Sequence, residues 1–128
     1  MNRTRIYVSE NDRALLAELP LYGPQGKSSP YAQFIRILKA ELKKARILPA
    51  DQMPDDVVTI NSKVWFTYLD GEVTDTLTLV MPAHADGSER ISVVSPIGMA
   101  ILGYRAGDEI NWGPVDRLIR VRLDRVVK

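Results

Sequence analysis

Acid–base, nucleophilic and metal chemistry draw on few side-chain types, and this sequence is poor in them. His84 is the sole histidine and cysteine is absent. His84 lies between Pro82-Ala83 and Ala85-Asp86, where spacing assigns no carboxylate to orient its imidazole. General acid–base catalysis needs a positioned partner, so His84 reads as an exposed loop residue. A hydrolytic triad, a thiolate nucleophile and a histidine- or cysteine-built zinc site are excluded with it. Carboxylates occur as the neighbours Asp55-Asp56 and Asp108-Glu109. Adjacent residues of an extended chain point to opposite faces, so neither pair alone clamps a metal ion, and both read as structural. Gly98, Gly103 and Gly107 are too widely spaced for a phosphate-cradling loop. The expectation is no catalytic residue, no metal and no cofactor.

Two groups have the chemistry of recognition. Trp65, Phe66 and Tyr68 have the side chains to line a ligand pocket or stack bases, but strands favour aromatic residues for packing alone, and sheet core is expected. Arg117, Arg120, Arg122, Arg125 and Lys128 make the last strand basic. They form either a docking patch for an acidic partner or the charged solvent face of an edge strand that discourages aggregation. Across the chain, 17 basic and 16 acidic side chains leave a formal charge of +1. That balance gives no general attraction to nucleic acid or to an anionic membrane, and no sequence-specific nucleic-acid binding is expected. No apolar run approaches the ~20 residues of a bilayer span. Met1-Asn2-Arg3-Thr4-Arg5 is not followed by a signal-peptide hydrophobic region, so the cytoplasm is the expected compartment.

The elements that must position these residues centre on Ser95 to Ile110. With 128 residues and 45% hydrophobic content, the chain reads as one domain, or as one small core with an appendage. Ser95 can cap a helix start, Pro96 has the fixed φ of a first helical position, and Gly103 suits the left-handed residue that ends a helix. The two turns between carry Ile97, Met99, Ala100, Ile101 and Leu102 on every side, so the helix is expected against a sheet at the centre of the core. Ala106-Gly107-Asp108-Glu109 then turns into a strand from Ile110 to Trp112. Further strands are predicted at Val57–Ile60, Lys63–Leu69, Val73–Met81 and Arg90–Val94, with a type I′ turn at Asp70-Gly71. After Gly113-Pro114, alternation from Leu118 to Val127 places Ile119, Val121, Leu123, Arg125 and Val127 on one face.

Before the sheet the period changes. Arg5 to Val8 is β-prone but too brief to assign. Ser9-Glu10-Asn11-Asp12 opens a helix as a capping box, and the helix carries Leu15, Leu16 and Leu19 and stops before Pro20. Ser29-Pro30 starts a second helix of about 16 residues, ~24 Å long, striped by Tyr31, Phe34, Ile35, Leu38, Leu42 and Ala45. Two single-striped helices joined by the short, turn-rich segment from Leu21 to Ser28 predict an antiparallel hairpin over residues 1–47. Ile47 to Asp56 forms the boundary to residues 48–128. The fold class is α+β: a helical hairpin, then a twisted antiparallel sheet with one short helix packed on it.

The segment Ile91-Ser92-Val93-Val94-Ser95-Pro96-Ile97-Gly98-Met99-Ala100-Ile101-Leu102-Gly103, followed by Gly107-Asp108-Glu109, closely resembles the C-terminal domain of the bacterial transcript-cleavage factors GreA and GreB. Met53-Pro54-Asp55-Asp56-Val57-Val58-Thr59-Ile60-Asn61-Ser62 more specifically resembles the short-armed Rnk branch of that family, the regulators of nucleoside diphosphate kinase. The resemblance implies an FKBP-like sheet and helix preceded by a short coiled coil, and RNA polymerase as partner. It implies docking at the rim of the secondary channel through Val94, Ser95 and Pro96. In the cleavage factors an acidic pair at the coiled-coil tip helps hold a catalytic magnesium ion, yet Pro20 to Ser29 here contains no Asp or Glu. An arm of ~24 Å is also short for a deep active centre. Val94 stands where the cleavage factors can carry a polar or acidic residue. The expectation is a non-enzymatic transcription regulator that competes with longer-armed factors without stimulating cleavage. The alternative is an FKBP-like peptidyl-prolyl isomerase, which requires an open, aromatic-lined pocket, or another small binding module.

Overall fold

A computed structural model describes residues 6–18 and 32–128. Leu19, the connection from Leu21 to Ser28 and the Ser29-Pro30 helix start lie outside the described residues.

Strand β1, Tyr7–Ser9, runs directly into helix α1, Glu10–Ala17. Ser9 caps the helix, its Oγ accepting the Asp12 N–H at 3.0 Å. The Asp12 carboxylate reaches further and accepts the Ile60 N–H at 2.9 Å. Helix α2, Ala32–Lys44, buries Phe34 and Leu38 and ends on Lys43 and Lys44, cations that suit its C-terminal dipole. Strand β2, Arg46–Leu48, then pairs in parallel with β1. By sequence alone Arg5 to Val8 is too brief to assign and Ile47 opens a boundary, whereas the folded chain makes both segments strands. Three-residue strands carry too little periodicity to be recognised, and pairing across the chain is what makes them.

The main sheet comprises β3 (Lys63–Tyr68), β4 (Val73–Val80), β5 (Arg90–Ser92), β6 (Glu109–Trp112) and β7 (Ile119–Val127), in the order β5-β4-β3-β7-β6. The sheet is mixed, not wholly antiparallel, because β5 runs parallel to β4. Pro82 opens a 3-10 turn through His84, and residues 81–89 carry the chain back across the sheet end as a parallel pair requires. Strand β5 stops at Ser92, two residues earlier than expected.

Val57–Ile60 forms no strand. Val57 makes one isolated bridge to Arg105. The neighbouring amides find other acceptors: the Tyr104 carbonyl for Val58, Ser62 Oγ for Thr59 and Asp12 for Ile60. Side-chain oxygens that offer such local bonds compete with a ladder. The β3–β4 connection also differs from a type I′ turn at Asp70-Gly71. Gly71 and Glu72 are the residues with positive φ, 92° and 57°. In β7 the register shifts between the partners of Trp65 and Phe66, leaving Asp124 unopposed. This bulge moves Val126 to the face of Val121 and Leu123, opposite Val64, and turns Arg125 outward opposite Trp65. Strict alternation mispredicted both residues.

Helix α3, Pro96–Ile101, lies in the core as expected, with Met99, Ala100 and Ile101 fully buried. It packs in one apolar cluster with Phe66 of β3, Leu79 of β4, Trp112 of β6 and Leu123 of β7, and with Leu16, Phe34 and Leu38 from the first two helices. Two close approaches set its depth. At Gly98 a Cβ would fall onto the Ser92 carbonyl oxygen and within 3.0 Å of Val93 Cα. Gly103, at φ 84°, has Ile6 Cβ where its own side chain would be. The second helix is bolted to the sheet by Glu41, which accepts from Trp112 Nε1 at 2.6 Å and from the Tyr104 hydroxyl at 3.1 Å.

Gly98→Ala is expected to lower stability by about 1–3 kcal/mol in urea unfolding, through forced displacement of backbone. Gly71→Ala meets nothing within 4 Å, and its cost should stay near 1 kcal/mol, from positive φ alone.

Candidate functional site

Val94, Ser95 and Pro96 form the corner between β5 and α3. Val93 anchors it from behind: the side chain is fully buried and its N–H donates to the Val80 carbonyl at 2.8 Å. Ser92 Oγ accepts the Val94 N–H at 3.1 Å, and Ser95 N–H donates to the Ser92 carbonyl at 3.0 Å. The Ser95 hydroxyl is used in both directions, donating to the Ser92 carbonyl at 2.7 Å and accepting the Gly98 N–H at 3.1 Å. Ser95 therefore positions the corner. Val94, Pro96 and Ile97 are half-exposed around it. The result is a fixed, uncharged, largely apolar corner, half-exposed and backed by the core, with no group for bond-making chemistry.

The other sequence candidates are dispersed. His84 ends the exposed 3-10 turn. Asp56 accepts from Arg105 Nε at 3.1 Å and from Nη2 at 2.9 Å, while Asp108 accepts the Arg105 backbone N–H at 2.8 Å. One carboxylate of each acidic pair thus fixes the loop after α3. Among the described residues, no three histidine or acidic side chains gather as metal ligands, and no helix is long and apolar enough to cross a membrane.

The aromatic run does not go into the core together. Phe66 is buried, Tyr68 is half-buried with its ring edge-on to Phe66 at 5.2 Å, and Trp65 lies on the opposite, outer face. Alternation on a strand separates Trp65 from Phe66. The basic strand is no edge strand either, since β7 lies between β3 and β6. Four of its five charges have a polar partner, and Arg125 lies over the Trp65 ring. Arg120 pairs with Asp70 at 2.6 Å and Arg122 with Asp124 at 2.9 Å, while Arg117 donates to Gln33 at 2.7 Å. The Lys128 ammonium turns toward Thr59, 3.4 Å away.

A cleft of about 380 Å³ opens beside α1, lined by Asn11, Asp12, Asp55, Thr59, Asn61 and Lys128 among others. The sequence reading assigned Asp12 only to a cap. Burial pushes its carboxyl above the ordinary range, against the lowering pull of the Ile60 and Ser9 hydrogen bonds and the Lys128 charge. Burial likewise lowers the Lys128 ammonium. Asp124 moves oppositely, held below the ordinary range by hydrogen bonds from Thr67 and Arg122. No aromatic side chain lines the cleft.

Residues 53–123 match the family described as transcription elongation factor GreA/GreB, C-terminal. The regulator of nucleoside diphosphate kinase of Escherichia coli strain K12 is 41% identical over 117 residues, covering 88% of this chain and 80% of that one. Transcription elongation factor GreA of Geobacillus kaustophilus is 38% identical over 78 residues, 60% of this chain and 49% of that one. Among solved structures, a prokaryotic transcription elongation factor GreA/GreB from Nitrosomonas europaea superposes with a TM-score of 0.73 at 35% identity, covering 96% of this chain and 99% of that one.

Asp12 and Asp124 should leave opposite signatures in stability against pH. An unfolded aspartate titrates near 3.8 and folded Asp12 above that, so between the two values the folded state binds its proton more tightly. The stability of the wild type relative to Asp12→Asn is expected to fall as pH rises through that interval and then level off. Folded Asp124 titrates below 3.8. Its contribution is present above 3.8 and lost as pH falls through the lowered value, so the wild type's advantage over Asp124→Asn should shrink with acidification. Urea unfolding at a series of pH values reads both.

Proposed function

The chain belongs to the GreA/GreB transcription elongation factor family, and from that premise we propose a regulator that binds RNA polymerase, docks at the rim of its secondary channel through Val94, Ser95 and Pro96, and competes there with longer-armed factors without stimulating cleavage. The observation that carries this reading is the corner before α3. It lies inside the family match at residues 53–123, presents half-exposed Val94 and Pro96, and is held rigid by the doubly bonded Ser95 hydroxyl. A surface that keeps its shape when free loses little entropy on docking.

The reading takes residues 1–47 as a helical-hairpin arm and residues 48–128 as an FKBP-like body. The helix that the sequence predicts from Ser29-Pro30 spans ~24 Å at 1.5 Å per residue, and its described part packs on the body through Phe34, Leu38 and Glu41. The sequence from Pro20 to Ser29 offers no carboxylate to a hard cation. Both features support occupancy of the rim without service to a metal in the active centre. The protein would act in the cytoplasm and catalyse nothing itself. Any effect on nucleoside diphosphate kinase, the process named for the Escherichia coli relative, would then be indirect. Among the described residues no observation favours a prolyl isomerase, since Phe66 is buried and the cleft beside α1 has no aromatic wall.

The test is a competition assay with purified polymerase, a GreA-type cleavage factor and this protein, reading cleaved transcript. Cleavage should fall as wild-type protein is added. Val94→Arg, which keeps the Ser95 cap and puts a bulky cation on the apolar corner, should need about tenfold more protein for the same inhibition, equivalent to about 1.4 kcal/mol of docking energy. Equal inhibition by the variant would overturn the assigned surface, and faster cleavage on adding this protein alone would overturn the mechanism. In a proline-isomerisation assay on a short peptide, the rate is expected to stay at its uncatalysed value.

A further inference from the structure

The outer face of the main sheet carries an arrangement that polymerase docking leaves unused. Trp65 is flanked by two cations: Lys63 Nζ lies 5.2 Å from the ring centroid and the Arg125 guanidinium carbon 4.9 Å. Lys63 is two residues before Trp65 on β3, and Arg125 is its partner across the β3–β7 ladder, brought to this face by the bulge at Asp124. On the other side Thr76 stands opposite Trp65 and Thr78 opposite Lys63. Cross-strand partners share a face, so hydroxyl, ring and cation run in a row across three strands.

Glu109, opposite Arg122, and Arg90, opposite Thr78, also lie on this face, and the β3 and β7 cations divide into two classes. Arg120 and Arg122 are neutralised by Asp70 and Asp124. Lys63 and Arg125 are exposed and pair with no carboxylate among the described residues. An acidic peptide would need the two cations alone. A half-exposed indole between two unpaired cations, beside threonine hydroxyls, matches a ligand that joins a planar ring, phosphates and sugar hydroxyls in one strand. We propose that this face binds single-stranded RNA without sequence preference. One base stacks on Trp65, the adjoining phosphates take Lys63 and Arg125, and Thr76 and Thr78 meet the 2′-hydroxyls. Stacking of a base requires the Arg125 guanidinium, 4.9 Å from the ring centroid, to swing off the indole and keep its charge for the phosphate.

The test uses the full chain without polymerase and a labelled oligouridine of about twelve nucleotides, the size of strand such faces engage. Binding at low salt is expected to quench the Trp65 emission. Log affinity should fall against log salt with a slope of about −1.4, two phosphate contacts at roughly −0.7 each. Lys63→Glu with Arg125→Glu should weaken binding at least tenfold and Trp65→Ala about tenfold. Arg120→Ala, on the same face but already ion-paired, should stay within about twofold, since a neutralised surface charge contributes little. Because Trp65→Ala also removes packing, the quench in wild-type protein and the charge-reversed variant read the proposal independently of it. No quench, or undiminished binding by the charge-reversed variant, overturns the site. Equal affinity for the matching DNA overturns the RNA assignment, and displacement of RNA by polyglutamate at equal charge points to an acidic protein instead.

Discussion

The close approach of α3 to the end of β5 is the constraint on which the rest of this molecule turns. A helix apolar on all sides is stable only when covered, and here the cover is so near that Gly98 has the Ser92 carbonyl where a Cβ would be. That distance fixes where α3 begins, and the beginning of α3 fixes the Val94-Ser95-Pro96 corner. Ser95 links the two, bonding to Ser92 on one side and Gly98 on the other. The corner can therefore stand half-exposed and still hold one shape, because its rigidity comes from the buried helix behind it.

Polar contacts at low exposure tie the N-terminal elements to this body. Glu41 on α2 receives hydrogen bonds from Trp112 and Tyr104, and Phe34 stacks on Trp112 with ring centroids 6.0 Å apart. Asp12 on α1 receives the Ile60 amide. In each case a carboxylate removed from water is compensated by a neutral donor, which keeps a specific geometry at some electrostatic cost. The raised carboxyl of Asp12 is the sign of that cost. The placement of the described N-terminal helices on the body is thus set by a few directional bonds as well as by apolar burial.

The two faces of the sheet carry different work. The inner face is filled by α3 and the apolar residues of α2. The outer face is a field of threonines and arginines on which the bulge at Asp124 decides the arrangement. Without that extra residue Arg125 would point into the core and Val126 to solvent. With it, Arg125 stacks on Trp65 and Val126 packs opposite Val64.

The amino-acid order alone specified the features that rest on local chemistry: the Ser95-Pro96 start and Gly103 end of α3, the Ser9 cap of α1, the stripe of α2, the β3–β4 pair and the short strand before Gly113. These depend on caps, φ preference and periodicity, which act over a few residues. The family resemblance was legible for the same reason, since its motif is one contiguous run. The parallel β1–β2 and β4–β5 pairs, the conversion of Val57–Ile60 from strand to turn, the bulge and the docking of α2 emerged only in the folded chain. Several turn on a partner distant in sequence: Asp12 for Ile60, Glu41 for Trp112, Arg125 for Trp65. No local preference encodes a hydrogen bond or a ring contact across 48 to 71 residues, because such contacts exist only once a common core has brought the segments together.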